Sequence, residues 1–113
     1  MMNIKNHVQQ VGRLGANPEV RILDNGNKLA RFSIAVTESY TNKQGEKVTD
    51  VQWHSVIAWN NLAGIAEKIL VKGTQVTVDG KLLKRNYTNK EGEKRSTTEI
   101  VANELFVISQ KAA

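Results

Sequence analysis

Trp53 and Trp59 are the only tryptophans in this 113-residue chain, and they stand six positions apart in the segment Val51-Gln-Trp-His-Ser-Val-Ile-Ala-Trp59. That segment is rich in β-branched and aromatic residues and has no Gly, Pro or formal charge, so it reads as a strand. An even spacing then turns both indoles to one face. Two rings on one face serve either as the heart of a small core or as a platform on which flat groups stack.

The two tyrosines open segments that are identical in seven of eight positions: Tyr40-Thr-Asn-Lys-Gln-Gly-Glu-Lys47 and Tyr87-Thr-Asn-Lys-Glu-Gly-Glu-Lys94. The spacing is not that of a solenoid, and the flanking strands do not match, so no duplicated domain follows. Asn-Lys-x-Gly is good hairpin-tip chemistry, and using it twice is one explanation. The other is functional: each copy offers a stacking ring followed by a charge that seeks phosphate.

Other chemistries find little support. No Walker-type loop, G-x-S-x-G elbow or H-E-x-x-H segment is present. His7 and His54 fall on different strands, without cysteines or a carboxylate cluster to complete a metal site. Asp24 and Asp50 sit in turns and Asp79 stands alone on a strand, which gives no basis for a metal-dependent nuclease. The expectation is a binding protein, not an enzyme, with no metal and no cofactor.

The bulk properties agree. The length suits one domain with a real core. The apolar runs are too short for a membrane helix, and the N-terminus lacks the features of a signal or transit peptide. With no cysteine there is no disulfide or thiolate chemistry, and a cytoplasmic setting is expected. The net charge of +5 and a pI near 9.6 favour a polyanionic partner. The basic excess concentrates between Lys68 and Arg95.

These residues need a scaffold of strands. His7 to Leu14 reads as a strand in which Gly12 suggests a bulge or bend. Gly15-Ala-Asn-Pro18 is a turn, with Glu19 to Leu23 as a short extended continuation of that strand. Asp24-Asn-Gly-Asn27 is a hairpin turn. Lys28 to Ser39 alternates cleanly, with Phe32, Ile34 and Val36 on the core face and Arg31, Ser33, Ala35 and Thr37 opposite.

After Trp59, apolar residues recur at 62, 65, 66, 69 and 70, which is helical spacing. Asn60 or Asn61 is available as N-cap, and Gly73 stands just past the end. Alternation returns from Gln75 to Tyr87, and a final strand runs from about Ser96 to Ile108. The expected fold is all-β: a five-stranded OB-type barrel with one helix between the third and fourth strands. A two-sheet sandwich would call for more strands.

Several segments together resemble the bacterial single-stranded DNA-binding protein family. They are Val11-Gly-Arg-Leu-Gly15, Asn17-Pro-Glu-Val-Arg21, Asn25-Gly26, Thr37-Glu-Ser-Tyr40, Trp53-His-Ser-Val56, Leu62-Ala63, Lys72-Gly-Thr-Gln-Val76, Asp79-Gly-Lys-Leu82 and Thr97-Thr-Glu99, in the family's order across about residues 5 to 108. The resemblance implies an OB fold, a homotetramer, and sequence-independent wrapping and protection of single-stranded DNA in replication, recombination and repair. It implies base stacking by Tyr40, Trp53, Trp59 and Tyr87; Tyr40 and Tyr87 stand where tryptophan is common and Trp59 where phenylalanine is common, and each keeps a π face. It further implies phosphate contacts from Lys43, Lys72, Arg85, Lys90 and Arg95, and a cytoplasmic, nucleoid-associated location.

The departures matter too. Ser55 and Asn61 stand where a basic residue is frequent, which leaves the central groove less cationic. Gln9 and Gln10 replace aliphatics in the first strand, which in the family helps pair subunits, and His54 falls near a subunit contact. A single domain over 1–108 is expected, followed by a short end, 109–113. No acidic residue follows Glu104, so recruitment of replication proteins through an acidic tail is not expected of this chain. A replication-restart module of the primosomal type and an OB-fold module that binds oligosaccharide or protein are the competing readings. Periodicity alone would bury the face carrying Val51, Trp53, Ile57 and Trp59. The resemblance reverses this, exposing Trp53 and Trp59 and turning His54, Val56 and Ala58 inward or toward a subunit contact.

Overall fold

A computed structural model describes residues 6–109. The elements are β1 (Val8–Leu14), β2 (Glu19–Ile22), β3 (Lys28–Thr41), β4 (Lys47–Trp59), α1 (Asn61–Ile69), β5 (Gln75–Thr88) and β6 (Lys94–Ser109). Neighbouring strands follow the order β1-β5-β6-β4-β3-β2, and a further β1–β3 pairing closes five of them into a barrel. All pairings are antiparallel except β4 with β6.

The expected helix position needs a correction. Glu19–Ile22 is not a continuation of the first strand but a separate strand, β2, which forms a hairpin with β3, while β1 pairs with β5. Pro18 has no N–H to carry the ladder on, and the turn at Gly15–Pro18 redirects the chain. The helix therefore follows the fourth strand, between β4 and β5.

The core is built by period-two alternation. Phe32 and Ile34 on β3, Val56 and Ala58 on β4, Val76 and Val78 on β5, and Ile100 on β6 are all buried, and Val36 packs against them in part. Helix α1 packs on β3, β4 and β6 and contributes Ala63, Ala66 and, just past its end, Leu70. Asn60 precedes the helix with φ 51° but makes no side-chain cap. Its carboxamide instead accepts the Lys28 N–H at 3.1 Å, and its own N–H donates to the Lys28 carbonyl at 2.8 Å, so it ties the helix entry to β3. Gly73 does not end the helix; with φ 89° it belongs to the following turn, where Thr74 N–H donates to the Val71 carbonyl at 3.0 Å.

Two glycines permit the curvature. Gly12 is not at a bulge: its pairing with Val76 is regular. A Cβ there would lie 2.7 Å from the Ala35 carbonyl oxygen, because β1 crosses close to the β3 backbone as the barrel closes. The β5–β6 ladder shifts register twice, at Gln75/Val76 and at Asp79/Gly80, and at the second a Cβ on Gly80 would come within 2.1 Å of the Val101 oxygen.

The repeated octapeptides form two hairpin tips of identical construction. Asn42 Oδ1 accepts the N–H groups of Gln44 and Glu46 at 3.0 and 2.9 Å, and Asn89 Oδ1 accepts those of Glu91 and Glu93 at 3.0 and 2.9 Å. Gly45 and Gly92 take φ 82° and 81°. Turn chemistry thus explains the shared Asn and Gly, and it leaves the shared Tyr and Lys without a role in the turn.

Candidate nucleic-acid interface

Register decides which side chains share a surface. β3 and β4 pair without interruption from Leu29↔Trp59 to Thr41↔Lys47. On β4 the even positions 56 and 58 enter the core, so Val51, Trp53, Ser55, Ile57 and Trp59 lie on the outer face. Trp53 is 61% exposed and Val51 is exposed beside it, while Trp59 is half-buried and is not packed against the core. His54 is half-buried on the inner side.

Ile57 is the one residue of this outer face for which the burial expected from periodicity holds in full. It faces outward by register yet is fully buried, and it is no part of the core cluster. Its cross-strand neighbours are Arg31 on β3 and Val101 on β6. Above this small outer layer lies a three-charge group. Glu99 on β6 is 7% exposed; Arg31 Nη2 lies 3.4 Å from its Oε2 and Arg85 Nε lies 2.8 Å from its Oε1. Among the described residues Oε1 has no well-aligned hydrogen bond, so the Arg85 contact is one of charge more than of directed bonding.

Trp53 is seated, not free. Its six-membered ring lies against Gly15, and a Cβ on that glycine would fall 2.6 Å from Trp53 Cζ3. A cleft of about 410 Å³ opens beside the ring, lined by Gly15, Asn17, Glu19, Arg31, Ser33 and Trp53 among others. The Gly15–Asn17 turn is fixed from behind: Gly15 N–H donates to the Ser33 carbonyl at 3.2 Å, and Asn17 Oδ1 accepts the Lys72 N–H at 2.8 Å. That bond brings exposed Lys72 to the edge of the cleft.

The remaining expected residues divide by position. Tyr87, half exposed, shares the outer face with Arg85 on β5 and pairs with Arg95 of β6, so ring and cation stand side by side. Arg95 also contacts Glu93, at 3.2 Å. Tyr40, 52% exposed, pairs with Val48 and has the parity of the inward residues, so it lies on the opposite side of the β3–β4 ribbon from Trp53. Lys43 and Lys90 sit exposed at the two hairpin tips. The structure thus joins Trp53, Arg85, Tyr87 and Arg95 on one face, with Trp59 partly sunk into it and Lys72 at its edge, and leaves Tyr40 on the reverse.

Gln9 is exposed and Gln10 half-buried on β1. Val11 of the same strand is exposed, pairs with Thr77, and Thr77 pairs in turn with exposed Phe106. The expected C-terminal end at 109–113 lies outside the described residues, apart from Ser109 as the last residue of β6. Among the described residues no three His, Asp or Glu side chains gather as metal ligands, and no helix is long and apolar enough to cross a membrane.

Comparison with known proteins decides the family. The model of the single-strand binding protein family matches residues 5–108. The chain belongs to that family. It is a family of binding proteins and not of enzymes. Single-stranded DNA-binding protein 1 of Xylella fastidiosa is 40% identical over 94% of this chain and 79% of its own length. The single-stranded DNA-binding protein of Neisseria meningitidis is 39% identical over 91% of this chain, which spans only 59% of that relative. Among solved structures, a Plasmodium falciparum SSB complex with ssDNA superposes with a TM-score of 0.86 at 28% identity, covering 92% of this chain and 95% of that one.

Sequence reasoning did not bring Arg31 and Glu99 together, nor place Arg31 at the Trp53 cleft. Alternation placed Arg31 on the face opposite the core and gave it no role. Glu99 lay inside the family's Thr-Thr-Glu segment, where only the fold reveals that it is buried between two arginines.

Proposed function

We propose that this chain binds single-stranded DNA without sequence preference, stacking bases on Trp53 and Tyr87 and neutralising phosphates with the cations beside them. The observation that carries the reading is Trp53: a large ring, 61% exposed, seated on a glycine at the mouth of a cleft lined in part by Arg31 and by Asn17, to which the Lys72 backbone is bonded. An indole held in water this way costs solvation unless a partner covers it, and any base has a face that can. Trp59 contributes its exposed edge, and Tyr40 takes a strand that passes around the β3–β4 ribbon.

Lys43, Lys72, Arg85, Lys90 and Arg95 take phosphates along this path. The protein wraps and protects single strands during replication, recombination and repair, in the cytoplasm at the nucleoid. It works as a homotetramer, pairing subunits through β1 with Gln9, Gln10 and His54 at or near the contacts. The exposed apolar side chains of Val11 and Phe106, which flank half-buried Thr77 in the ladder, support such a pairing.

The test is a competition between oligo(dT) and a duplex of equal length for the purified protein. Binding of oligo(dT) with little binding of duplex is expected; equal binding of both would leave only charge attraction and would overturn the reading. Mass in solution decides the tetramer separately.

A further inference from the structure

The Arg31–Glu99–Arg85 group is built oddly for a device that only stabilises the fold. The acid is the buried member, with its side chain 8% exposed, while the two arginine side chains remain 50% and 49% exposed. Burying a carboxylate is costly, and a well-packed apolar residue commonly stabilises as much as an ion pair does. What the acid supplies is placement. It draws together two guanidinium groups from β3 and β5, strands separated in the sheet by β4 and β6.

Small Ser55, paired with both Ser33 and Glu99, leaves room for the Arg31 head to approach across β4. Ile57, opposite Arg31, is fully covered on this outer face. The group has a net charge of +1, and Arg31 also lines the Trp53 cleft. A base stacked on Trp53 therefore brings its phosphodiester toward the pair of arginines.

We propose that Arg31 and Arg85 form one phosphate-binding fork, with Glu99 as the positioning residue that holds both guanidinium groups on the Trp53 face. The proposal rests on the single-stranded DNA reading and deepens it, adding a DNA-binding residue, Arg31, and a residue that acts through the two arginines. Planar guanidinium groups suit this task because each can contact the carboxylate with one edge and a phosphate oxygen with another.

The test measures oligo(dT) affinity against salt for the full chain and its variants. Arg31→Ala is expected to weaken binding about tenfold, as removal of a charge-assisted hydrogen bond does. It should also reduce the log–log salt slope by about 0.7, the value for one fewer phosphate neutralised on a single strand. Combined with Arg85→Ala, the effects should be less than additive, because the two share a phosphate. Glu99→Gln gives the sharper result: it makes the protein more positive, so a pure charge effect would tighten binding, whereas loss of positioning weakens it.

Tighter binding by Glu99→Gln, or an Arg31→Ala variant within about twofold of the parent with an unchanged slope, would overturn the fork. If Glu99→Gln fails to fold, judged by circular dichroism, the half-exposed Arg31→Ala and Arg85→Ala variants decide the matter through their coupling. A parent protein that does not bind oligo(dT) at all overturns the underlying DNA reading instead, so the two failures are distinct.

Discussion

Trp53 rests on Gly15, with the position of a Gly15 Cβ only 2.6 Å from Cζ3 and 2.8 Å from Cη2 of the indole. The glycine makes a seat for the ring, and the ring is the far end of an exposed side chain that can move if the seat is filled. Gly15→Ala should therefore leave thermal stability close to that of the parent while displacing the indole. Oligo(dT) affinity should fall by up to the ~1–3 kcal/mol that one stacked base contributes, and the tryptophan emission should shift in the free protein. A large drop in melting temperature would mean that the glycine serves the fold instead.

Gly80 presents the opposite case. A Cβ there would meet the Val101 carbonyl oxygen at 2.1 Å, a clash of backbone with side chain at the second β5–β6 register shift. Neither strand can yield without disturbing the ladder. Gly80→Ala should destabilise the protein by about 1–3 kcal/mol, the usual range for overpacking, read as a lower urea midpoint.

Ile57 allows the outer layer to be tested as structure. It is fully buried, paired with Arg31 on one side and Val101 on the other, outside the barrel core. Ile57→Ala should cost about 2–5 kcal/mol, as truncation of a buried isoleucine does. Were Ile57 on a bare surface, the change would be within a few tenths of a kcal/mol, and denaturant titration separates these outcomes.

Much of the fold was legible in the residues. Alternation in Lys28–Ser39 identified Phe32 and Ile34 as core, and helical spacing after Trp59 located α1, because both signals come from burial on one side. The separate status of β2 was not legible, since pairing with β3 rather than extension of β1 is a long-range choice. On β4, apolar character pointed to the wrong face, and only resemblance corrected it for Trp53. For Ile57 the burial expected from periodicity held, but in an outer layer apart from the barrel core, where its ladder partners are Arg31 and Val101. The joint use of Arg31, Glu99 and Arg85 was illegible, as the three are distant in sequence and meet only across the sheet.

The parity of the tyrosines leads to a prediction about length. Tyr87 shares the outer face with Arg85, whereas Tyr40 lies on the reverse of its ribbon. Tyr87→Ala should weaken binding of short oligonucleotides that cover one face only, and Tyr40→Ala should not. Longer strands that pass around the ribbon should respond to both, each by about 1–3 kcal/mol. Equal sensitivity of short strands to both changes would contradict the assignment of faces, as measured by anisotropy with oligomers of graded length.

The central claim is that the exposed indole of Trp53 stacks on bases. Trp59→Phe leaves Trp53 as the sole fluorophore while keeping an aromatic face at position 59. Titrating this variant with oligo(dT) should quench its emission strongly at low salt. Quenching at saturation should persist at higher salt, where screening weakens the phosphate contacts but leaves the stacked geometry intact. Saturable binding at low salt with no change in Trp53 emission would contradict the account.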